Sequence, residues 1–377
     1  MDNIQMVDLK SQYKKIKSAV DKAIGDVIES AQFINGPEVK SFQSELESYL
    51  DTKHVIPCAN GTDALQISLM ALDLKPGDEV ITPSFTFIAT TEVIALLGLK
   101  PVFIDVKKDT FCMDASQIEN AITDKTKAIV PVHLYGQAAD MGEIMRIADK
   151  HNLPVIEDNA QAIGSDYHTS SGDKKTGTIG QIGCTSFFPS KNLGCYGDGG
   201  AIFTNSDELA AKMRMIVNHG QSKRYYHDVV GCNSRLDSIQ AAVLRIKLKE
   251  LDGYINARRK VADYYDNFFA QFEGVNTPVR SDKSRHVFHQ YTLTLEGIDR
   301  GALNAFLAEK NIPSMIYYPV PAHKQEMFSS FNSAETELPA TDWLVERVLS
   351  LPIHTEMSEE QLAFICNGVA EFMKIEA

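Results

Sequence analysis

At 377 residues, with 44% hydrophobic and 23% charged positions, the chain has the length for roughly two domains and the make-up of a globular protein with a full core. Its net charge of −13 excludes a broad nucleic-acid or anionic-membrane surface, which needs a positive field, so any anionic ligand must be met by local groups. Six cysteines without CxxC spacing fit neither a zinc site nor a disulfide framework, and no apolar targeting segment precedes the fold, so a reducing cytoplasm is the expected setting.

In chain order, a polar, partly helical arm leads to a turn at Asn35-Gly36-Pro37. Val39, Phe42, Leu46 and Leu50 then recur at helical spacing and predict an amphipathic helix over Glu38 to Leu50. His54 to Cys58 reads as a strand, and Asn60 is placed to cap a helix through Ala64, Leu65, Leu69 and Leu72. Strands Val80 to Thr82, Val102 to Val106, Ala128 to Val132 and Val155 to Glu157 follow, separated by helices Phe87 to Leu97, Ala115 to Ala121 and Met141 to Lys150. Such alternation predicts an α/β fold with a parallel sheet and helices on both faces.

The runs Cys184 to Phe188 and Ala201 to Thr204 flank a loop too short for a crossover helix, so this pair is expected to be antiparallel. Helical patterns cover Asp207 to Val217, Leu236 to Leu251 and Asn256 to Phe272. From Pro278 onward the style changes to strand Gln290 to Leu295, helix Gly301 to Lys310, strand Ser314 to Tyr318 and closing helices near Trp343 and Gln361. This predicts a large domain over 1–250, including the N-terminal arm, and a smaller α+β domain over 251–377.

Several familiar motifs do not hold. Gly172 to Thr178 has the outer spacing of a P-loop but lacks the lysine after its second glycine, and it reads as a surface hairpin. The glycines at 177, 180 and 183 are not spaced as GxGxxG, which counts against a nicotinamide cofactor. His286 and His289 lack the carboxylate cluster of a metal site, so packing or solvent exposure is expected for both, and no metal.

Three features converge on Lys191, which sits between an apolar strand and the glycine cluster Gly194, Gly197, Gly199 and Gly200. Asn60-Gly61-Thr62-Asp63 opens a helix whose free N–H groups can seat a phosphate. Asp158 ends an apolar strand, where open α/β sheets bind ligands, and can pair with a cationic ring nitrogen. In Pro83 to Phe87 an aromatic ring can cover a flat ligand. Each feature alone has an ordinary reading: a helix cap, a turn aspartate, a core phenylalanine. Together with the lysine amine they are what pyridoxal phosphate requires.

Through these residues the chain resembles the sugar-nucleotide aminotransferases of the DegT/DnrJ/EryC1/StrS family, which have the aspartate aminotransferase fold (PLP fold type I). The resemblance also rests on Gly77-Asp78-Glu79-Val80, Glu157-Asp158, Ser186-Phe187, Lys191-Asn192-Leu193-Gly194, Gly197-Asp198-Gly199-Gly200 and Gly231 to Asp237. It implies that Lys191 holds the cofactor covalently and then shuttles the proton, and that Asp158 keeps the pyridine nitrogen protonated. It assigns the phosphate to Gly61, Thr62, Asp63 and Ser186, ring stacking to Phe87 and the ring hydroxyl region to Gln161. Asn233 would reach the phosphate from the other subunit of a homodimer, while Arg235, Tyr317 and His323 would meet the sugar nucleotide.

A lysine rather than a histidine at 191 favours transamination over deoxygenation. The resemblance implies glutamate as donor and a UDP- or dTDP-linked keto sugar as acceptor, with His133-Leu134-Tyr135-Gly136 favouring a 3-keto over a 4-keto substrate. A non-catalytic regulatory protein on the same fold would be expected to lose Lys191 or Asp158, and both are present.

Overall fold

Short apolar strands form the central sheet of the computed structural model, which describes residues 4–331 and 333–376. They are β1 (His54–Cys58), β2 (Glu79–Pro83), β3 (Lys100–Ile104), β4 (Thr126–Ile129), β5 (Ile156–Asp158), β6 (Ile182–Ser186) and β7 (Gly200–Thr204). Their order is β3-β2-β4-β5-β6-β7-β1, with parallel bridges Ile129–Val155 and Val132–Asp158 spanning the step from β4 to β5. Only β7 runs against its neighbours, and it pairs with β6 in the register Ser186–Gly200 to Gly183–Phe203, as the short loop between them demands.

The helices of this part are α1 (Leu9–Ser30), α2 (Pro37–Leu50), α3 (Gly61–Ala71), α4 (Ala89–Leu96), α5 (Met141–His151), α6 (Asp207–Ile216) and α7 (Ser238–Phe269). One face of the sheet is covered by α3, α4 and α6 around Ile56, Leu65, Val80, Ile94, Ile182, Ile202 and Met213. The other face is shared by α5, over Ile81, Ile129, Ile144 and Val155, and by α2 with α7, over Phe42, Leu46, Val55, Phe203 and Leu251. Burial on both faces is why these strands read as near-continuous apolar runs. No helix among the described residues is long and apolar enough to cross a membrane.

Two expectations need correction. The patterns at 236–251 and 256–272 are one 32-residue helix, α7, which passes straight through position 250/251. Gly253 in its interior costs about 1 kcal/mol. The buried stripe of Leu248, Leu251, Ile255, Arg258, Ala262 and Tyr265 continues across it at helical spacing, and tertiary burial outweighs the glycine.

The second correction concerns the C-terminal sheet, β8 (Val275–Asn276), β9 (Tyr291–Leu295) and β10 (Val348–Leu351). The expected strand Ser314 to Tyr318 does not form, and only Met315 there bridges Ser350; the strand beside β9 is β10, in the register Tyr291–Leu351 to Thr294–Val348. Pro319 and Pro321 offer no N–H to a ladder, whereas Val348 to Leu351 are all buried. Helices α8 (Arg300–Glu309), α9 (Pro339–Arg347) and α10 (Glu359–Glu376) complete this part. Its core gathers Phe269, Leu293, Leu307, Leu349 and Val369.

A polar tie joins the two parts beside the C-terminal edge of the sheet. Helix α9 begins with a proline and has no cap of its own. Asp105, just beyond β3, caps it from outside by accepting from the N–H groups of Ala340 (2.7 Å) and Thr341 (2.8 Å) and from Thr341 Oγ1 (2.7 Å).

Candidate active site

Several loops at the carboxyl ends of the strands close around a cavity of about 810 Å³. Asn60, after β1, has an extended backbone, and its Oδ1 accepts from the Asp63 N–H at 2.8 Å. The N–H groups of Gly61 and Thr62 lie in the first turn of α3, where no intrahelical acceptor exists, and offer a seat for an anion. Position 61 must be glycine, because a Cβ there would lie 2.7 Å from Ser186 Cβ. Packing the α3 start against the end of β6 is what brings Ser186 to the same seat.

At the end of β5 two adjacent acids point to opposite faces of the strand. Asp158 lines the cavity; its Oδ2 accepts from Thr90 Oγ1 (2.7 Å), its Oδ1 accepts from the Ala160 N–H (3.1 Å), and Thr86 hydrogen-bonds Thr90 behind it. Glu157 is fully buried beneath. It accepts from the N–H groups of Gly177 (2.8 Å), Ile179 (2.7 Å) and Gly180 (2.6 Å) and from His133 Nε2 (2.8 Å). His133 Nδ1 accepts from the Ala139 N–H at 3.1 Å, so its proton is on Nε2. The His133 N–H in turn donates to the Asp158 carbonyl at 3.0 Å. The tract 133–136 thus supports Asp158 from behind and does not line the cavity.

Lys191 follows β6, its N–H donating to the Phe188 carbonyl at 2.8 Å. Burial pulls its amine down to about 8, against the opposing pull of the Asp158 carboxylate. Only the neutral amine attacks a carbonyl. Capture of pyridoxal phosphate by the cofactor-free protein is therefore expected to rise with pH through a midpoint near 8, not near the ~10.4 of a free lysine. Absorbance-monitored binding rates across that range check this, and a midpoint at the free-lysine value would place the reactive amine elsewhere.

Phe87, at the cavity mouth, is 53% exposed, with its ring 6.1 Å from that of Tyr318. Gln161 lines the wall, accepting from the Tyr135 N–H at 2.8 Å and donating to Tyr318 Oη at 3.1 Å. Tyr317 also borders the cavity. Three of the expected residues lie elsewhere. Asn233 is exposed, Arg235 is half-buried with Nε unpartnered, and neither lines the cavity of its own chain. His323 is fully buried, its Nδ1 2.7 Å from Ser84 Oγ. The turn through Pro319 and Pro321 sends it under the end of β2, so the expected substrate contact is replaced by a structural one.

Sequence reasoning missed Glu157, whose signal was present in the Glu-Asp pair, since alternation must send one of the two away from the ligand. It also missed His289, which lines the cavity with Lys191, whereas His286 is buried and stacked on Phe288 at 3.8 Å. Nothing local distinguishes the two histidines. Among the described residues no cluster of His, Cys, Asp or Glu could hold a metal.

An anion seat with a steric need for glycine, a carboxylate, a flat aromatic face and an amine of lowered basicity border one cavity, and this donor set fits pyridoxal phosphate. The profile of the DegT/DnrJ/EryC1/StrS aminotransferase family matches residues 14–370. The chain is similar to a Pleiotropic regulatory protein of Geobacillus stearothermophilus (47% identical, 99% of each chain). It is also similar to the UDP-2-acetamido-2-deoxy-3-oxo-D-glucuronate aminotransferase of Pseudomonas aeruginosa (46% identical, 96% of this chain and 98% of that one). A third relative is the UDP-N-acetyl-3-dehydro-alpha-D-glucosamine 3-aminotransferase of Acidithiobacillus ferrooxidans (45% identical, 97% of each). The crystal structure of a DegT DnrJ EryC1 StrS aminotransferase from Brucella abortus superposes with a TM-score of 0.93 at 41% identity, over 98% of this chain and 99% of that one.

Proposed function

The chain belongs to the DegT/DnrJ/EryC1/StrS aminotransferase family and is a pyridoxal-phosphate-dependent transaminase, and we propose that it moves an amino group from glutamate to a 3-keto sugar nucleotide. The observation that carries the reading is Lys191, an amine of lowered basicity, in one cavity with Asp158. The 3-keto choice rests on the names of the Pseudomonas and Acidithiobacillus relatives, both similar over nearly the whole chain.

When bound, the cofactor supplies an electron sink that lets an amino group leave one carbon and join another. The chain's own residues do the rest. The α3 N-terminus and Ser186 hold the phosphate, and Asp158 keeps a proton on the ring nitrogen through a charge-assisted hydrogen bond of about 1.5–3 kcal/mol. Phe87 covers the ring and Gln161, locked between Tyr135 and Tyr318, faces the ring hydroxyl. In each half-reaction Lys191 Nζ would carry the proton between the substrate carbon and the cofactor carbon. Incubation with glutamate and a panel of UDP- and dTDP-linked keto sugars, followed by mass and NMR, is expected to give an amine at C3. An amine at C4 would overturn the regiochemistry, and no aminated product would overturn the substrate class.

The site is proposed to be shared by two copies of the chain. The charged groups on the cavity wall are Asp63, Asp158, Asp198 and Lys191, a poor complement for a phosphate carrying nearly two negative charges. Asn233 is exposed on its own chain, and an amide from a second copy can donate to the phosphate without further charge. Mixing Lys191→Ala with Asn233→Ala chains under verified subunit exchange should restore about a quarter of wild-type sites, because half of a random mixture is heterodimer with one intact site. Activity no higher than that of the unmixed variants would show that Asn233 acts within its own chain.

A further inference from the structure

We propose that Lys247 is a positioning residue of this active site: from behind the cavity wall its amine holds the Gly194 carbonyl, and so fixes the loop that carries Lys191. The inference rests on Lys191 being the reacting amine.

The loop between β6 and β7 is bound from the rear by α7. Main chain closes its base, where the Phe187 N–H donates to the Gly199 carbonyl at 2.7 Å and the Cys195 N–H to the Phe187 carbonyl at 2.8 Å. Between those ends the chain doubles back so tightly that a Cβ at Gly194 would lie 2.4 Å from the Pro189 oxygen. Lys191 is in this doubled-back part, three residues before Gly194. Lys247 Nζ donates to the Gly194 carbonyl at 2.5 Å. Gln240, about two turns earlier on the same face of α7, accepts from the Tyr196 N–H at 2.8 Å and donates to the Tyr196 carbonyl at 3.2 Å. Arg258, about three turns beyond Lys247 on that face, donates through Nη1 to the carbonyls of Phe288 and His289, both at 3.2 Å. Lys191 and His289 both line the cavity. One helix therefore holds the main chain of two cavity-lining segments, and Lys247 is its hold on the reactive one.

Packing does not account for an amine at this place. Lys247 is 1% exposed. Burial first pulls its amine down to about 8; the Cys195 thiol opposes that pull and Arg258 adds to it. The thiol supplies no counter-charge, because burial pushes it up to about 11. Apart from the Gly194 carbonyl, Nζ meets the face of the Tyr196 ring, 5.4 Å from its centre. A methionine of similar length would fill the same space without burying a charge. The bond to the Gly194 carbonyl is what a methionine could not make, and a carbonyl left unheld would let the lysine loop shift.

The test compares Lys247→Met, which fills the space without a donor, with Lys247→Gln, which keeps a donor one bond shorter. In cofactor-free protein, acylation of Lys191 followed by peptide mass should have its pH midpoint near 8 in the wild type and moved upward in the Met variant, because a loop released from α7 opens Lys191 to water. The half-reaction of the cofactor-loaded protein with glutamate is expected to slow about 100-fold in the Met variant. With α-deuterated glutamate the primary isotope effect should rise there, since a misplaced amine slows proton transfer relative to binding. The Gln variant should fall between the Met variant and the wild type in each measurement. The cofactor-free Met variant should melt close to the wild type, because loss of a buried charge offsets the unmet carbonyl. An unmoved acylation midpoint or an unchanged rate in the Met variant would overturn the proposal, as would equal losses in both variants with a lowered Tm, which marks packing alone. Should the Met variant not fold, the Gln variant is read against the wild type, and a wild-type value in either the midpoint or the rate overturns the proposal. Borohydride fixation of the cofactor on wild-type protein keeps the two readings apart. Absence of label on Lys191 would overturn the functional reading and this inference with it, whereas label on Lys191 with any negative result above overturns the role of Lys247 only.

Discussion

Replacement of Lys191 by alanine is expected to lower transamination about 10⁴-fold, the upper range for loss of a positioned acid–base group, without unfolding the chain. The amine is both the covalent anchor and the proton carrier of the proposed reaction, and neither task has a substitute on the cavity wall, where the other basic side chain, His289, is held neutral. The fold should not suffer. A lysine whose basicity falls from its ordinary value to about 8 on folding is disfavoured in its charged form by the folded state, so below that pH its removal relieves a cost. The cofactor-free variant should therefore melt at or above the wild-type temperature while losing activity. Borohydride reduction of the wild type, followed by peptide mapping, should put the pyridoxyl group on Lys191. Label on exposed Lys174, or on Lys175, which pairs with Asp166 at 2.6 Å, would defeat the assignment.

The second large effect falls on stability and on the neighbouring acid. Glu157→Ala is expected to cost about 3–5 kcal/mol, the range for removing one partner of a buried charged cluster, because three backbone N–H groups and the His133 ring Nε2–H lose their shared acceptor at once. Chemical denaturation measures this directly. Asp158→Asn, one residue along the same strand, should behave in the opposite way. An amide there can still accept from Thr90 and gives up only the longer contact from the Ala160 N–H, so the fold is kept, while loss of the charge facing the ring nitrogen lowers the rate about 10–100-fold. The pairing of phenotypes is the test: a stable Glu157→Ala protein, or an unfolded Asp158→Asn protein, would show that the division of labour between the two faces of β5 has been misread.

The Lys191 variant tests a feature readable along the chain, and the Glu157 variant tests one whose hydrogen-bond partners only the tertiary structure brings together. Sequence alone determined what depends on neighbours in the chain. The alternation of apolar strands and helices specified the α/β sheet, the Asn60 cap and Gly61-Thr62 marked the anion seat, and the short loop around Lys191 required β6 and β7 to be antiparallel. Caps, turns and periodicity act over a few residues, so their physics is local. Tertiary structure decided whatever depends on which distant surfaces meet. Burial against the sheet and the C-terminal core carried α7 through Gly253, and prolines beyond Ser314 to Tyr318 left β9 to pair with Val348 to Leu351. His323, expected at the substrate, was drawn under β2 by Ser84, while His289, expected to be packing or surface, was turned into the cavity by a left-handed Phe288 and the carbonyl contacts of Arg258. Those outcomes are sums of burial and hydrogen bonding between segments separated by tens to hundreds of positions, and no spacing within either segment encodes them.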